Sequence, residues 1–283
     1  MIKILKYFTQ AVIIYLFFLI IKIIGLKLSR KVFSKIFITF GPIFKSKKIF
    51  AKNFEIARNV IKKDHTSIER EMWSNYGMTF VEYIFLKDLR NSNSHIEISG
   101  LDIIENINKE NKKVIFISGH FANFELMSME LTKRNVSLAT IYRPLNNFFL
   151  NPFMEYLRRK YICKNQIKKG ISGVKDALSY LSDGHSIAMM VDQRLSEGEM
   201  INFFGKPALT TTLPAQLASR FDLEIVPIYL ERKGEDSFLM EIKNPINFMS
   251  KSKSEMTAEI NRSLEQMIIR NPSQWIWTHN RWK

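Results

Sequence analysis

Apolar positions dominate the start of the chain. From Phe8 to Leu26 nearly every residue is hydrophobic, and AVIIYLFFLII at 11–21 runs unbroken up to Lys22. Such a run approaches the roughly 20 residues a helix needs to cross a bilayer, and it predicts an N-terminal membrane-anchoring helix. Lys22 can snorkel to an interface, so the helix either spans the bilayer or lies obliquely in it. A buried core helix is the competing reading of the same run. The residues that follow, GLKLSRKVFSK, contain no small-residue cleavage site, so the segment is expected to be retained.

Between residues 28 and 90 apolar and charged positions alternate at helical spacing, as at Ile56, Val60, Ile61, Trp73, Met78, Val81 and Ile84. Gly41-Pro42 and Gly77 are the only breaks. The texture changes at Val114. VIFIS (114–118), SLATIY (137–142), IAMMVD (187–192) and EIVPIYLE (224–231) are short, apolar and mostly contain β-branched residues, with helix-compatible stretches between them. This alternation predicts an α/β fold: a central mixed, partly parallel sheet flanked by helices. The expected organisation is an anchor over 1–30 and one domain over 31–283, mostly helical over 31–110 and α/β over 111–283. A last helix is expected from Thr257 to Ile269, ending at Asn271-Pro272 before the aromatic tail QWIWTHNRWK.

With 283 residues the chain can bury a proper core. Its 42 Lys and Arg exceed its 27 Asp and Glu, giving a formal charge of +15 and a bias toward anionic partners: phospholipid headgroups, acidic carrier proteins or nucleic acid. The basic residues cluster after the anchor (Lys27, Arg30, Lys31, Lys35, Lys45, Lys47 and Lys48, against Lys3 and Lys6 before it), which predicts a cytoplasmic body. A single cysteine, Cys163, excludes an internal disulfide and reads as an inert thiol.

His120 lies just past the predicted strand VIFIS, after Gly119, where functional groups collect in parallel sheets. Glu125 follows five residues later; on one continuous helix the two would diverge by about 140°. They meet only if a helix starts between them, and Asn123 is a candidate cap. A carboxylate on one imidazole nitrogen would fix the tautomer and free the other nitrogen as a general base. The alternative is that His120 satisfies a buried loop carbonyl and Glu125 is an N-terminal helix charge. No HExxH pattern or neighbouring histidine suggests a metal. Arg143, after SLATIY, suits phosphate or a loop cap. Asp192, Gln193 and Arg194 sit at another strand end, to position a headgroup, to orient an arginine, or as structural hydrogen-bonding groups. Phe203, Phe204 and Gly205 with Thr210, Thr211 and Thr212 are candidates for lining a cleft, although such aromatics are usually core. Trp275, Trp277 and Trp282 read by default as a packed tail. His65, His95, His185 and His279 receive no role.

GHFANFE (119–125) resembles the first motif, HxxxxE, of the lysophospholipid acyltransferase superfamily. The rest is similar to its late lipid A acyltransferase branch: WSNYGMTFVEY (73–83), IYRPLNN (141–147), VDQR (191–194), INFFGKPALTTTLPAQLA (201–218), IVPIY (225–229) and NPSQWIWTHNRWK (271–283) occur in order. That resemblance implies acyl transfer from an acyl carrier protein thioester to a hydroxyl of a lipid A precursor at the cytoplasmic face of the bacterial inner membrane. His120 would be the base and Glu125 its orienter. Arg143 would meet an acceptor phosphate or headgroup, and no cofactor, metal or nucleic acid is implied. Ala122 and Phe124 stand where the family motif often has Gly and Trp. A glycerophospholipid or other glycolipid acceptor is the alternative for the same fold, and a non-enzymatic, basic, membrane-anchored binding protein is the reading furthest from it.

Overall fold

The computed structural model describes residues 1–44, 47–194, 198–248 and 250–283, so Lys45 of the basic flank lies outside the described residues. Helices α1 (Ile2–Ile24), α2 (Leu26–Phe44), α3 (Lys47–Ala57), α4 (His65–Glu82) and α5 (Leu86–Asn91) come first. The α/β body follows as β1 (Ile96–Ser99), α6 (Leu101–Lys109), β2 (Val114–Ser118), α7 (Glu125–Lys133), β3 (Leu138–Tyr142), α8 (Asn151–Leu157) and β4 (Asn165–Lys168). It continues through α9 (Ile171–Ser182), β5 (Ser186–Met190), β6 (Glu199–Phe203), β7 (Lys206–Thr210), α10 (Leu213–Phe221), β8 (Glu224–Lys233), β9 (Ser237–Ile242) and α11 (Lys253–Arg270).

Seven strands form one sheet in the order β1-β9-β8-β2-β5-β3-β4. From β8 to β4 all neighbours are parallel; β9 turns back antiparallel on β8, and β1 pairs parallel with β9. The sheet is therefore mixed and mostly parallel, as the alternation of apolar runs predicts. All five residues of the central strand β2 are buried, because helices cover both faces. Its side chains alternate: Ile115 and Ile117 join the core shared with α10, α11 and the tryptophan tail, while Val114 and Phe116 join the core under α6 and α7. Each such side chain contributes about 1.5–3 kcal/mol on burial.

The four apolar runs coincide with β2, β3, β5 and β8. The other strands carry weaker signals. β1 is only four residues long and lies inside the stretch read as mostly helical, where its pairing with β9 makes it a strand. β4, NQIK, has no apolar run and is held by β3. β6 and β7 form a hairpin whose turn, Phe204-Gly205, has φ of 53° and 71°, the primed geometry that matches strand twist. The last helix starts four residues earlier than expected, at Lys253, because Ser252 and Glu255 close a capping box.

Helix α1 buries Ala11, Phe18 and Ile21 against the body. Phe18 meets Phe80 of α4 and Phe153 of α8, and Tyr15 donates a hydrogen bond to the Phe149 carbonyl. Much of its remaining apolar surface, including Leu5, Leu16, Leu19 and Ile23, is exposed.

Candidate active site

The chain leaves β2 into a tight loop. Ser118 Oγ donates to the Ile228 carbonyl at 2.7 Å, fixing the strand end. A Cβ on Gly119 would stand 2.7 Å from the Phe121 ring and 3.4 Å from Asp192 Cγ, so only glycine permits this approach. Ala122 then takes φ 46°, the left-handed region. Its carbonyl accepts from Asn75 and Thr79, its N–H donates to the Gln274 carbonyl, and Phe121 bridges to Trp275 of the tail. Asn123 does not cap α7; its amide donates to buried Glu82, which is clamped by Arg30 and Arg232. Left-handed geometry costs an L-residue about 1–2 kcal/mol, partly offset by the greater freedom of unfolded glycine. Ala122→Gly is therefore expected to stabilise the protein by about 0.5–1 kcal/mol, raising Tm by about 2 °C with acyl transfer unchanged. Thermal denaturation checks this; a lower Tm would show the methyl's packing to outweigh the backbone strain.

This loop delivers the His120 imidazole to Asp192. Nδ1 and Asp192 Oδ1 are 2.7 Å apart, while the His120 backbone N–H and Trp275 Nε1–H both donate to Oδ2, at 2.9 and 2.8 Å. Asp192 is 1% exposed. Burial pushes its carboxyl up, but the adjoining His120 charge and these donors outweigh it and bring the pKa down to about 2. In the neutral ring an ionised Asp192 holds the proton on Nδ1, so Nε2 is the nitrogen able to take a proton. Phe124 packs edge-on against the ring, and the Gln193 amide nitrogen lies 3.4 Å from both ring nitrogens.

Glu125 opens α7, as the helix-start condition requires, but has other partners. Its Oε1 accepts from Tyr83 Oη at 2.8 Å and from Arg158 Nε and Nη2 at 2.8 and 2.6 Å. Arg158 belongs to a wide helical turn, Arg158–Ile162, that follows α8. Burial disfavours the guanidinium charge, yet the Glu125 carboxylate outweighs it and raises the pKa. His120, Glu125 and Arg158 line one cavity of about 660 Å³, together with Arg143, Lys169, Gln193 and an apolar wall that includes Ile141, Met189, Met190 and Leu213. A histidine with a free nitrogen, a charged cluster and a long apolar wall suit an amphiphilic substrate whose polar end must be activated.

A family model described as bacterial lipid A biosynthesis acyltransferase matches residues 1–283. The chain belongs to this family. Among similar proteins, the lipid A biosynthesis palmitoleoyltransferase of Escherichia coli is 25% identical over 256 residues, 86% of this chain and 80% of that one. The lipid A biosynthesis acyltransferase of Haemophilus influenzae is 21% identical over 201 residues, covering 69% and 61% of the two chains. The lipid A biosynthesis myristoyltransferase of Escherichia coli is 20% identical over 186 residues, 64% of this chain and 57% of that one. Membership makes the protein an acyltransferase of lipid A biosynthesis.

Within this acyltransferase the predicted site residues separate. His120, Glu125, Arg143 and Gln193 line the cavity. Asp192 lies beneath it on His120, not on Arg143 or Arg194. Arg194 is not among the lining residues, and its Nε is buried with no hydrogen-bond partner among the described residues. Thr211 and Thr212 reach the cavity wall, while Thr210 accepts from Arg281 and Phe203 is core. The tryptophan tail is buried and carries Trp275 to Asp192. Tyr83, Arg158 and Lys169 escaped the sequence reading. Tyr83 closes a quoted motif, yet nothing local pairs it with Glu125; Arg158 and Lys169 follow segments without a hydrophobic run. His279, given no role, feels the charges of Asp192 and His120; burial first, then nearby cations, lowers it to about 4, so it is neutral at neutral pH.

Proposed function

We propose that this acyltransferase moves a fatty acyl chain from an acyl carrier protein thioester to a hydroxyl of a lipid A precursor at the cytoplasmic face of the inner membrane. The observation that carries the mechanism is the His120–Asp192 contact through Nδ1, on a histidine that lines a large, partly apolar cavity. Nε2 removes the proton of the acceptor hydroxyl as its oxygen attacks the thioester carbonyl. The imidazolium is stabilised by Asp192. Collapse of the tetrahedral intermediate breaks the C–S bond, and the carrier thiolate takes the proton from Nε2. Glu125 holds Arg158 rigid in the cavity wall, where the guanidinium is positioned to offset developing negative charge. The thioester is already activated, so the reaction requires no metal or redox cofactor.

Helix α1 supports the membrane assignment: its exposed apolar surface suits a leaflet, and its contacts with Phe149 and Phe153 tie it to the α/β body. The net charge of +15 favours both anionic lipid and an acidic carrier. Mass spectra of lipids from a deletion strain test the proposal. Lipid A short of one acyl chain is the expected result, whereas intact lipid A with an altered glycerophospholipid would assign a different acceptor.

A further inference from the structure

Helix α1 meets the body along most of its length. Among residues 1–22 those not exposed are Tyr7, Ala11, Ile14, Phe18 and Ile21, spaced alternately four and three apart, so they form one stripe. At the first end of the stripe Asn147 Nδ2 donates to the Tyr7 carbonyl at 2.8 Å, and Phe148 and Phe149 pack edge-on against Tyr7 and Phe8. In the middle Tyr15 and Phe18 meet Phe153, and Phe18 stacks on Phe80 of α4. At the far end Ser29 Oγ donates to the Ile21 carbonyl, and Lys22 pairs with Asp88 at 3.8 Å. At 1.5 Å per residue the contact from Tyr7 to Lys22 is about 22 Å long.

A helix held in this way crosses a bilayer only if the body crosses with it. The hydrocarbon core is about 30 Å thick, so a perpendicular α1 would carry the segment at 147–149 most of the way through. Exposed Arg143 and Asn146 precede that segment and exposed Arg159 and Lys160 follow it, and such groups have no place in hydrocarbon. Exposed Lys22 and Asp88 mark the opposite end of the contact. The free sides of α1 fit a helix lying along the surface instead. Lys3, Lys6 and Gln10 are exposed on one side, while Leu5, Val12, Leu16, Leu19 and Ile23 are exposed on another. The first suits headgroups, the second suits acyl chains, and the body covers the third.

We propose that α1 lies within one leaflet, beside the cavity mouth, with its amino terminus on the same side of the membrane as the body. This rests on the membrane assignment above. The partner is a lipid surface, because the elements packed on α1 add exposed apolar residues of their own: Leu28 and Val32 of α2, and Phe148. The cavity wall includes Leu145 and Asn146, and the next residue is the Asn147 that holds Tyr7. The mouth therefore opens beside the leaflet, and an amphiphilic acceptor enters it sideways without leaving the bilayer.

Labelling of the full-length protein in sealed inner-membrane vesicles with a membrane-impermeant maleimide tests it. Cys163 is the only cysteine and is buried, so Cys163→Ser gives a background for single cysteines. Lys3→Cys, at the start of α1, and Asp183→Cys, an exposed body position before β5, should both react in one vesicle orientation. Both should be protected in the other orientation until detergent is added. Reaction of the two in opposite orientations shows a spanning helix and overturns the proposal. Fluorophores on Leu5→Cys, Val12→Cys and Leu19→Cys, seven residues apart on the lipid side, give a second readout through quenching by acyl-chain nitroxides. All three should report one depth, about 5–10 Å below the headgroups. A gradient that reaches the bilayer centre at Val12 overturns the proposal and leaves the membrane assignment standing. Quenching at none of the three removes the membrane assignment, and the proposal with it.

Discussion

His120→Ala is expected to lower kcat for acyl transfer to a lipid A precursor by about 10³- to 10⁴-fold, with membrane association retained. General-base catalysis contributes about 10²- to 10⁴-fold, and the upper part of that range applies because the imidazole is pre-aligned. Asp192 Oδ2 stays held by the His120 backbone N–H and Trp275, and the carboxylate lies beneath the cavity at 1% exposure, so it is poorly placed to take over as base when the ring is removed. The His120 side chain is 17% exposed at the cavity wall, and its loss leaves the loop clamps at Ala122 and Asn123 intact. Activity within tenfold of wild type would remove His120 from the mechanism.

Asp192→Asn is expected to be nearly as severe for catalysis and more damaging to the fold. An amide has one acceptor oxygen where the carboxylate has two, and here three donors converge: the His120 N–H, its Nδ1–H and Trp275 Nε1–H. Its NH₂ group must face one of them, which leaves a buried donor unpaired at about 1–3 kcal/mol and rotates or re-protonates the imidazole. In a serine protease the equivalent Asp-to-Asn change lowers kcat about 10⁴-fold through the wrong tautomer, and a loss of about 10²- to 10⁴-fold is expected here. Glu125→Gln offers the contrast. Its partners are Tyr83 and Arg158, so the variant should lose activity by loosening Arg158, without shifting the acid limb of the pH–rate profile that reports the imidazole. If Glu125→Gln shifts that limb and Asp192→Asn does not, Glu125 is the orienting carboxylate and the roles exchange.

Asp192 also ties stability to acid. Its pKa falls from 3.8 to about 2 on folding, so its contribution is fully present above the unfolded value and is lost as pH drops through about 2. Asp192→Asn should remove that part of the acid destabilisation and leave the stability difference constant at neutral pH. Denaturant midpoints measured between pH 2 and 7 check the sign.

Whatever follows from local physics was legible in the sequence. The apolar run at 11–21 predicted the helix α1, because a long uncharged apolar stretch favours its own hydrogen-bonded helix. VIFIS predicted β2 to the residue, since a strand buried on both faces must be apolar throughout. His120 was visible because it follows such a strand after a glycine, and the ordered motifs identified the family. Tertiary structure alone decided the partners. β1 and β4 are strands because neighbours supply their hydrogen bonds, which four residues of IEIS or NQIK cannot signal by themselves. Sequence spacing put Glu125 closest to His120 along the chain, but the turn at Ala122 sends it to Arg158, 33 residues later, and brings Asp192 to the imidazole from 72 residues away. Arg143 and Lys169 became neighbours only through the register of β3 and β4. A side chain's propensity is a property of its own segment, whereas a hydrogen bond or an unpaired charge belongs to two segments that only the packed sheet brings together.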